Sequence, residues 1–151
     1  MAISTSDFIS VLNDLIETCK DGEDGFREAA QEVKNPALKT LFSNYANERG
    51  QYAMELQQRV SKLGQAPETS GTVAASLHRR WMDFKSAITG KNDQAIIEEC
   101  ERGEDIALES YRNAMAKDLP SDLKAVIERQ FTGVKSAHDK VRNLKHGQEY
   151  V

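Results

Sequence analysis

Hydrophobic residues recur along the chain at spacings that alternate between four and three. The first series comprises Phe8, Leu12, Leu15, Cys19, Gly22, Phe26, Ala29 and Val33. The second comprises Leu38, Phe42, Tyr45, Arg49, Tyr52, Leu56 and Leu63. This spacing predicts helices whose apolar seams pack at a shallow angle against neighbouring helices. One seam position of the second helix is an arginine.

Pro36 and Pro120 each follow one helical pattern and open the next, so both mark turns between helices. Gly64 is placed to end the second helix in the left-handed conformation. The same patterns predict three further helices, a short one from about Thr72 to Thr89 and long ones from Asp93 to Lys117 and from Ser121 to Gly147. The chain therefore belongs to the all-α class.

The chain contains an internal repeat. Residues Cys19–Asp24 (CKDGED) recur as Cys100–Asp105 (CERGED), with four of six residues identical at an offset of 100 − 19 = 81. Both copies fall inside long predicted helices, each of which is followed by a proline turn. The repeat therefore predicts two copies of one helical hairpin.

Two stacked hairpins bury both apolar stripes and form a four-helix bundle. We expect one domain over residues 1–151, with hairpin 1 at about 5–64, a crossover at 65–92 and hairpin 2 at about 93–147. The crossover is long enough to run back along the bundle, which makes the second and third helices parallel. Such a connection is typical of the ferritin-like topology, whereas an up-down-up-down bundle needs only a short loop.

Composition narrows the function classes. The 151 residues are 39% hydrophobic and 29% charged, with a formal net charge of −4 and both signs interleaved. This balance argues against nucleic-acid and membrane-surface partners. The N-terminal residues have no secretion signal and no stretch is apolar enough to span a membrane, so we expect a cytoplasmic protein.

Several motifs resemble a family of bacterial ferritin-like four-helix-bundle proteins whose function is unknown. They are the Cys-x-x-Gly-x-x-Gly-Phe run at Cys19–Phe26, His78-Arg-Arg-Trp81, Glu101–Asp105 and Ala137-His138-Asp139. The likeness covers nearly the whole chain. It implies a ferritin-like fold and loosely suggests a stress or regulatory setting.

Glu23 and Glu104 occupy equivalent positions of the repeat and flank the apolar seam at one level. Together with Arg49 and His138 they predict a polar group in the middle of the bundle. One interpretation is a hydrogen-bonded network in which Arg49 neutralises the glutamates. The other is a degenerate iron or manganese site formed by Glu23, Glu104 and His138, since ferritin-like carboxylate proteins hold two metals with Glu and Glu-x-x-His ligands.

Two features of this sequence weaken the metal interpretation. The residue three before His138 is Lys135, so the Glu-x-x-His motif is incomplete. Arg49 would place a fixed positive charge where a dication binds. We therefore expect no cofactor, with iron or manganese as the alternative.

Cys19 and Cys100 predict two buried, reduced thiols, with a redox pair as the alternative hypothesis. His78 and Trp81 in the crossover are either core residues or part of a surface pocket. No catalytic or nucleotide-binding motif is recognisable. The leading hypothesis is thus a non-enzymatic bundle that acts through its surface, as a homodimer or with a protein partner; the alternative is a metal-binding protein.

Overall fold

The computed structural model describes residues 5–64 and 83–145. Four long helices follow one another in the chain: α1 (Thr5–Glu32), α2 (Pro36–Lys62), α3 (Asp93–Met115) and α4 (Ser121–Lys145). Residues 83–88 form a short helical segment before α3. The remainder of the predicted helix from Thr72 to Thr89 lies outside the described residues. The all-α fold class is confirmed.

The ends of the helices follow from local sequence. Asn35 caps α2 by accepting hydrogen bonds from the backbone N–H groups of Ala37 and Leu38, and Pro36 occupies the first turn of the helix. Asn92 caps α3 in the same way. Gly64 has a φ of +84°, the left-handed conformation expected after α2. The turn signals in the sequence were therefore correct.

Contacts between helices give their directions. Asp93, at the start of α3, accepts hydrogen bonds from the backbone N–H groups of Lys34 and Asn35 at 2.8 and 3.0 Å, just before α2 begins. Further along both helices, Arg49 of α2 pairs with Glu104 of α3. Helices α2 and α3 therefore run parallel, as the ferritin-like topology requires.

The apolar core has two parts. One lies around Leu15, Leu56 and Ile127, and the other lies around Phe42 and Ile97. Along every long helix, about two turns separate the fully buried apolar residues of one part from those of the other. Arg49 and Glu104 fill this middle level, with exposed fractions of 1% and 2%. The arginine is the largest fully buried side chain among the described residues.

Gly22 of α1 leaves room for the arginine. A Cβ atom at Gly22 would lie 2.9 Å from Arg49 Nη1 and 3.2 Å from Arg49 Cγ. The equivalent glycine of the second hairpin, Gly103, faces open space, since no described atom lies within 4 Å of the place that its Cβ atom would take. Of these two glycines, only Gly22 is required by a close approach.

We expect opposite effects when these two glycines are changed to alanine. Gly103→Ala should stabilise the protein by about 0.5–1 kcal/mol, because alanine is the better helix former. Gly22→Ala should destabilise the protein by about 1–2 kcal/mol. Glu104 holds the Arg49 side chain in place, so the added methyl group would crowd against it. Urea unfolding of both variants measures the difference. Equal stabilisation by the two changes would show that Arg49 moves aside freely.

Candidate functional site

The centre of the bundle holds a two-point ion pair. Arg49 Nη1 donates to Glu104 Oε1 at 2.8 Å, and Arg49 Nη2 donates to Glu104 Oε2. The guanidinium carbon also lies 5.4 Å from the centre of the Phe26 ring, on the ring face. Burial alone would lower the pKa of Arg49, but the Glu104 carboxylate raises it above its ordinary value. Arg49 therefore stays charged at any physiological pH.

Glu23 lies apart from this pair. It is half-buried, and its Oε2 is 3.3 Å from Nη2 of Arg27, one turn further along α1. The same oxygen occupies the space that a Cβ atom at Gly50 would need, so the side chain lies against the backbone of α2. Its predicted contact with the centre is thus replaced by a contact at the α1–α2 surface.

His138 of α4 is buried against α3, at the outer edge of the contact between these two helices. Its Nε2 is 2.6 Å from Asp105 Oδ1, and its Nδ1 is 3.1 Å from Asp139 Oδ1. Glu101, one turn before Asp105, completes a group of three ligand atoms with Asp105 and His138, all within 4.8 Å of one another. Lys145 Nζ lies 2.7 Å from Glu101 Oε2. A cation bound here would have to share Glu101 with this ammonium.

The structure therefore brings together two of the four residues predicted for the central network, Arg49 and Glu104. It places Glu23 and His138 in separate surface groups. The three residues predicted as metal ligands, Glu23, Glu104 and His138, have different partners: Arg27, Arg49 and Asp105 respectively. His78 and Trp81 lie outside the described residues.

A chain of hydrogen bonds links all four helices beside the ion pair. The Cys19 thiol and the Tyr111 hydroxyl are 3.0 Å apart, and that hydroxyl donates to Gln130 Oε1 at 2.7 Å. Gln130 Nε2 donates to Glu55 Oε1 at 2.8 Å. These hydrogen bonds were not predicted, because a tyrosine and a glutamine at seam positions have no distinctive spacing.

Both cysteines are buried free thiols. Burial raises the pKa of Cys19 to about 11, despite the hydrogen bond with Tyr111, and raises the pKa of Cys100 further. A thiolate is the reactive form, and the raised pKa values keep both side chains in the less reactive thiol form at neutral pH. This state matches the interpretation of buried, reduced thiols.

A cavity of about 340 Å³ opens between α1, α3 and the segment 83–88. Its walls include Phe84 and Ile106, and its lining includes the central ion pair. Asp21 lies at its edge, where burial, with a smaller contribution from Asp24, raises the pKa of this carboxyl to about 7. A substantial fraction of Asp21 is therefore protonated at neutral pH.

The central residues do not fit a pair of metal ions. Both oxygens of Glu104 are committed to Arg49, and the guanidinium occupies the space between the helices. A cation would have to displace a buried positive charge that cannot be deprotonated. The outer group of Glu101, Asp105 and His138 has the donor types for iron or manganese.

None of the helices in the described ranges has a stretch long and apolar enough to cross a membrane.

Solved structures share this fold. A two-domain protein from Anabaena variabilis, with DJ-1/ThiJ/PfpI-like and ferritin-like domains, matches 99% of this chain with a TM-score of 0.81 and 14% identity. This chain spans 42% of that protein's length. A C-terminal deletion mutant of Mycobacterium smegmatis Dps matches 92% of this chain and 98% of its own, with a TM-score of 0.78 and 16% identity. At these identities the likeness establishes the ferritin-like fold alone.

The tetragonal form of Mycobacterium smegmatis Dps gives the same result, with a TM-score of 0.77, 15% identity, and coverage of 100% of this chain and 98% of its own. No curated protein sequence is similar to this chain. A protein family does match over residues 7–117, which is well over half of the chain. The chain belongs to that family, described as Domain of unknown function (DUF2383).

Proposed function

We propose that this protein is a non-enzymatic ferritin-like bundle that acts through its surface, by self-association. The observation that carries the proposal is the buried Arg49–Glu104 pair. In the middle of the bundle, both oxygens of Glu104 and both terminal nitrogens of Arg49 are used within this pair. The recognition that we propose therefore takes place on the outside of the bundle.

The chemistry of the interior supports this proposal. A paired, permanently charged guanidinium is neither an acid nor a base at neutral pH. The Cys19 thiol is protonated, with a pKa of about 11, and its sulfur contacts Tyr111. Burial also raises the pKa of Tyr111 well above its ordinary value. These groups hold the four helices in register and offer no proton or electron pair to a substrate. The predicted stress-related setting stays a prediction.

A second candidate function, cation binding, is favoured by one observation. Glu101, Asp105 and His138 offer one nitrogen and two carboxylate oxygens within 4.8 Å of one another. Iron and manganese accept this mixture of donors. The group lies on the outer face of α3 and α4, so it would add a cation to the surface and leave the central pair intact.

Self-association predicts a mass of twice 16.9 kDa or a higher multiple in solution. We expect this mass in light scattering after gel filtration, with a fraction of monomer that grows on dilution by mass action. The measurement needs the full chain without tags. A monomeric mass at all concentrations up to about 100 μM would contradict the proposal, because a dimer with a Kd below that value would be populated at that concentration.

The structural role of the central pair predicts non-additive stability changes. Arg49→Met or Glu104→Leu alone should lower the free energy of unfolding by about 3–5 kcal/mol, because each leaves a buried charge unpaired. The double variant should return to within about 1–2 kcal/mol of the parent, since two apolar side chains satisfy each other. Urea unfolding of all four proteins measures the coupling.

The double variant also tests the proposed function. It should keep the oligomeric mass of the parent, because the surface is unchanged. Loss of that mass in a folded double variant would place the central pair in the function itself.

The cation hypothesis predicts about one bound iron or manganese per chain in protein purified without chelator. Asp105→Asn combined with His138→Gln should abolish this binding, whereas Glu104→Gln, at the neighbouring position of the same helix, should leave it intact. Elemental analysis and titration with Mn²⁺ measure both. Binding that depends on Glu104 would instead locate the metal in the bundle centre.

A further inference from the structure

The exposed face of α2 carries no charge over most of its length. From residue 40 to residue 61, the exposed side chains are Thr40, Ser43, Asn44, Asn47, Gln51, Met54, Gln58 and Ser61. Each of the other three helices has both acidic and basic residues among its exposed side chains in the described ranges. Since 29% of the chain is charged, this uncharged stripe stands out from the rest of the surface.

The stripe is continuous and straight. Successive members are one, three or four residues apart, so they occupy one side of the helix. The 22 residues extend for about 33 Å at 1.5 Å per residue. Lys39 and Lys62 bound the stripe at its two ends.

This composition weakens the helix. Serine, threonine and asparagine are poorer helix formers than glutamate, lysine or alanine, by up to about 0.7 kcal/mol each relative to alanine. Five of the eight stripe positions hold these residues. Within the described residues, none of the eight stripe side chains forms a hydrogen bond that would offset this loss of helix stability. A solvated helix surface is better served by charged residues, so the stripe fits contact with another molecule better than contact with water.

Several charges beside the stripe are already paired within the chain. Glu55 pairs with Arg129 of α4, and Glu23 pairs with Arg27 on the α1 side. Arg59 at one end of the stripe likewise pairs with Asp122. Burial raises the pKa of the Glu48 carboxyl, which is half-buried and lies beside the stripe. The pairing of these charges weakens the field that a partner meets at the stripe, which disfavours strongly charged partners such as nucleic acids.

We propose that a second copy of this chain docks here, stripe against stripe, around a two-fold axis. This inference rests on the proposed self-association and names its surface. Two copies each carry a net charge of −4 and repel one another elsewhere. The stripe is where they meet without like charges in contact. Its asparagine and glutamine amides both donate and accept, so identical surfaces complement each other.

The available area is sufficient for a dimer. Helices in a bundle lie about 8–10 Å apart, so α2 with the nearer halves of α1 and α4 gives a face about 20 Å wide. Over about 33 Å of length this is on the order of 700 Å². A stable interface buries about 600–1,000 Å² on each partner, so this face lies within the range. Met54, which is 59% exposed, is a large exposed apolar side chain on this face.

Gln51 lies in the middle of the stripe and provides the test. In a two-fold interface centred there, position 51 of one copy faces the same position of the other. Gln51→Lys and Gln51→Glu should each raise the dimer Kd about tenfold or more, because like charges meet. An equimolar mixture of the two variants should restore the parent Kd through a Lys–Glu pair. Asn113→Lys, at an exposed position of α3, is the matched control and should leave the Kd unchanged.

Analytical ultracentrifugation gives each Kd, and circular dichroism checks that the variants remain helical. If the parent dimerises but Gln51→Lys does not weaken it, the α2 surface is wrong while the proposed function stands. The same conclusion follows if Asn113→Lys weakens the dimer equally or if the mixture fails to recover. If the parent is monomeric, both the surface and the proposed self-association are wrong.

Discussion

A charge buried in a protein needs a partner, and this requirement shapes the middle of the bundle. Arg49 extends from α2 into the space between the helices and binds both oxygens of Glu104 on α3. The two helices are diagonal neighbours, so the pair spans the interior. Gly22 leaves space for the guanidinium, and the Phe26 ring covers it. The apolar core is consequently divided into two parts. The four helices must keep one register along their axes for Arg49 to reach Glu104.

The duplicated hairpins do not produce a symmetric centre, because the chain supplies one buried guanidinium among its described residues. On α4, the level between Val134 of one core part and Val141 of the other is occupied by Ala137 and His138, so this helix supplies no guanidinium there. One guanidinium neutralises one carboxylate. Glu104 takes it, and its repeat equivalent Glu23 remains at the surface with Arg27.

The helices, their turns and the parallel course of α2 and α3 were predictable, since they follow from seam spacing, prolines and crossover length. The inward direction of Arg49 was predictable for the same reason. The partners of Glu23 and His138 were not predictable. A position beside the apolar seam shows roughly which side of the helix a side chain leaves from, but it does not show which neighbouring residue the side chain reaches. The outer group formed with Glu101 and Asp105 depends on how α3 and α4 are staggered, which periodicity leaves undetermined.

The interior and the surface of this bundle obey local rules to different degrees. In the interior, Arg49 pairs with Glu104 and Gln130 accepts from Tyr111, and apolar positions follow the helical period. The exposed positions of the α2 stripe hold mostly serine, threonine and asparagine, which are weak helix formers, although the chain as a whole is rich in charged residues. Departures from local preference are expected where function imposes its own requirement. A polar stripe that gains nothing from its own chain gains most from contact with another surface, and an uncharged, self-complementary surface is one that a second copy of the same acidic chain can cover without repulsion.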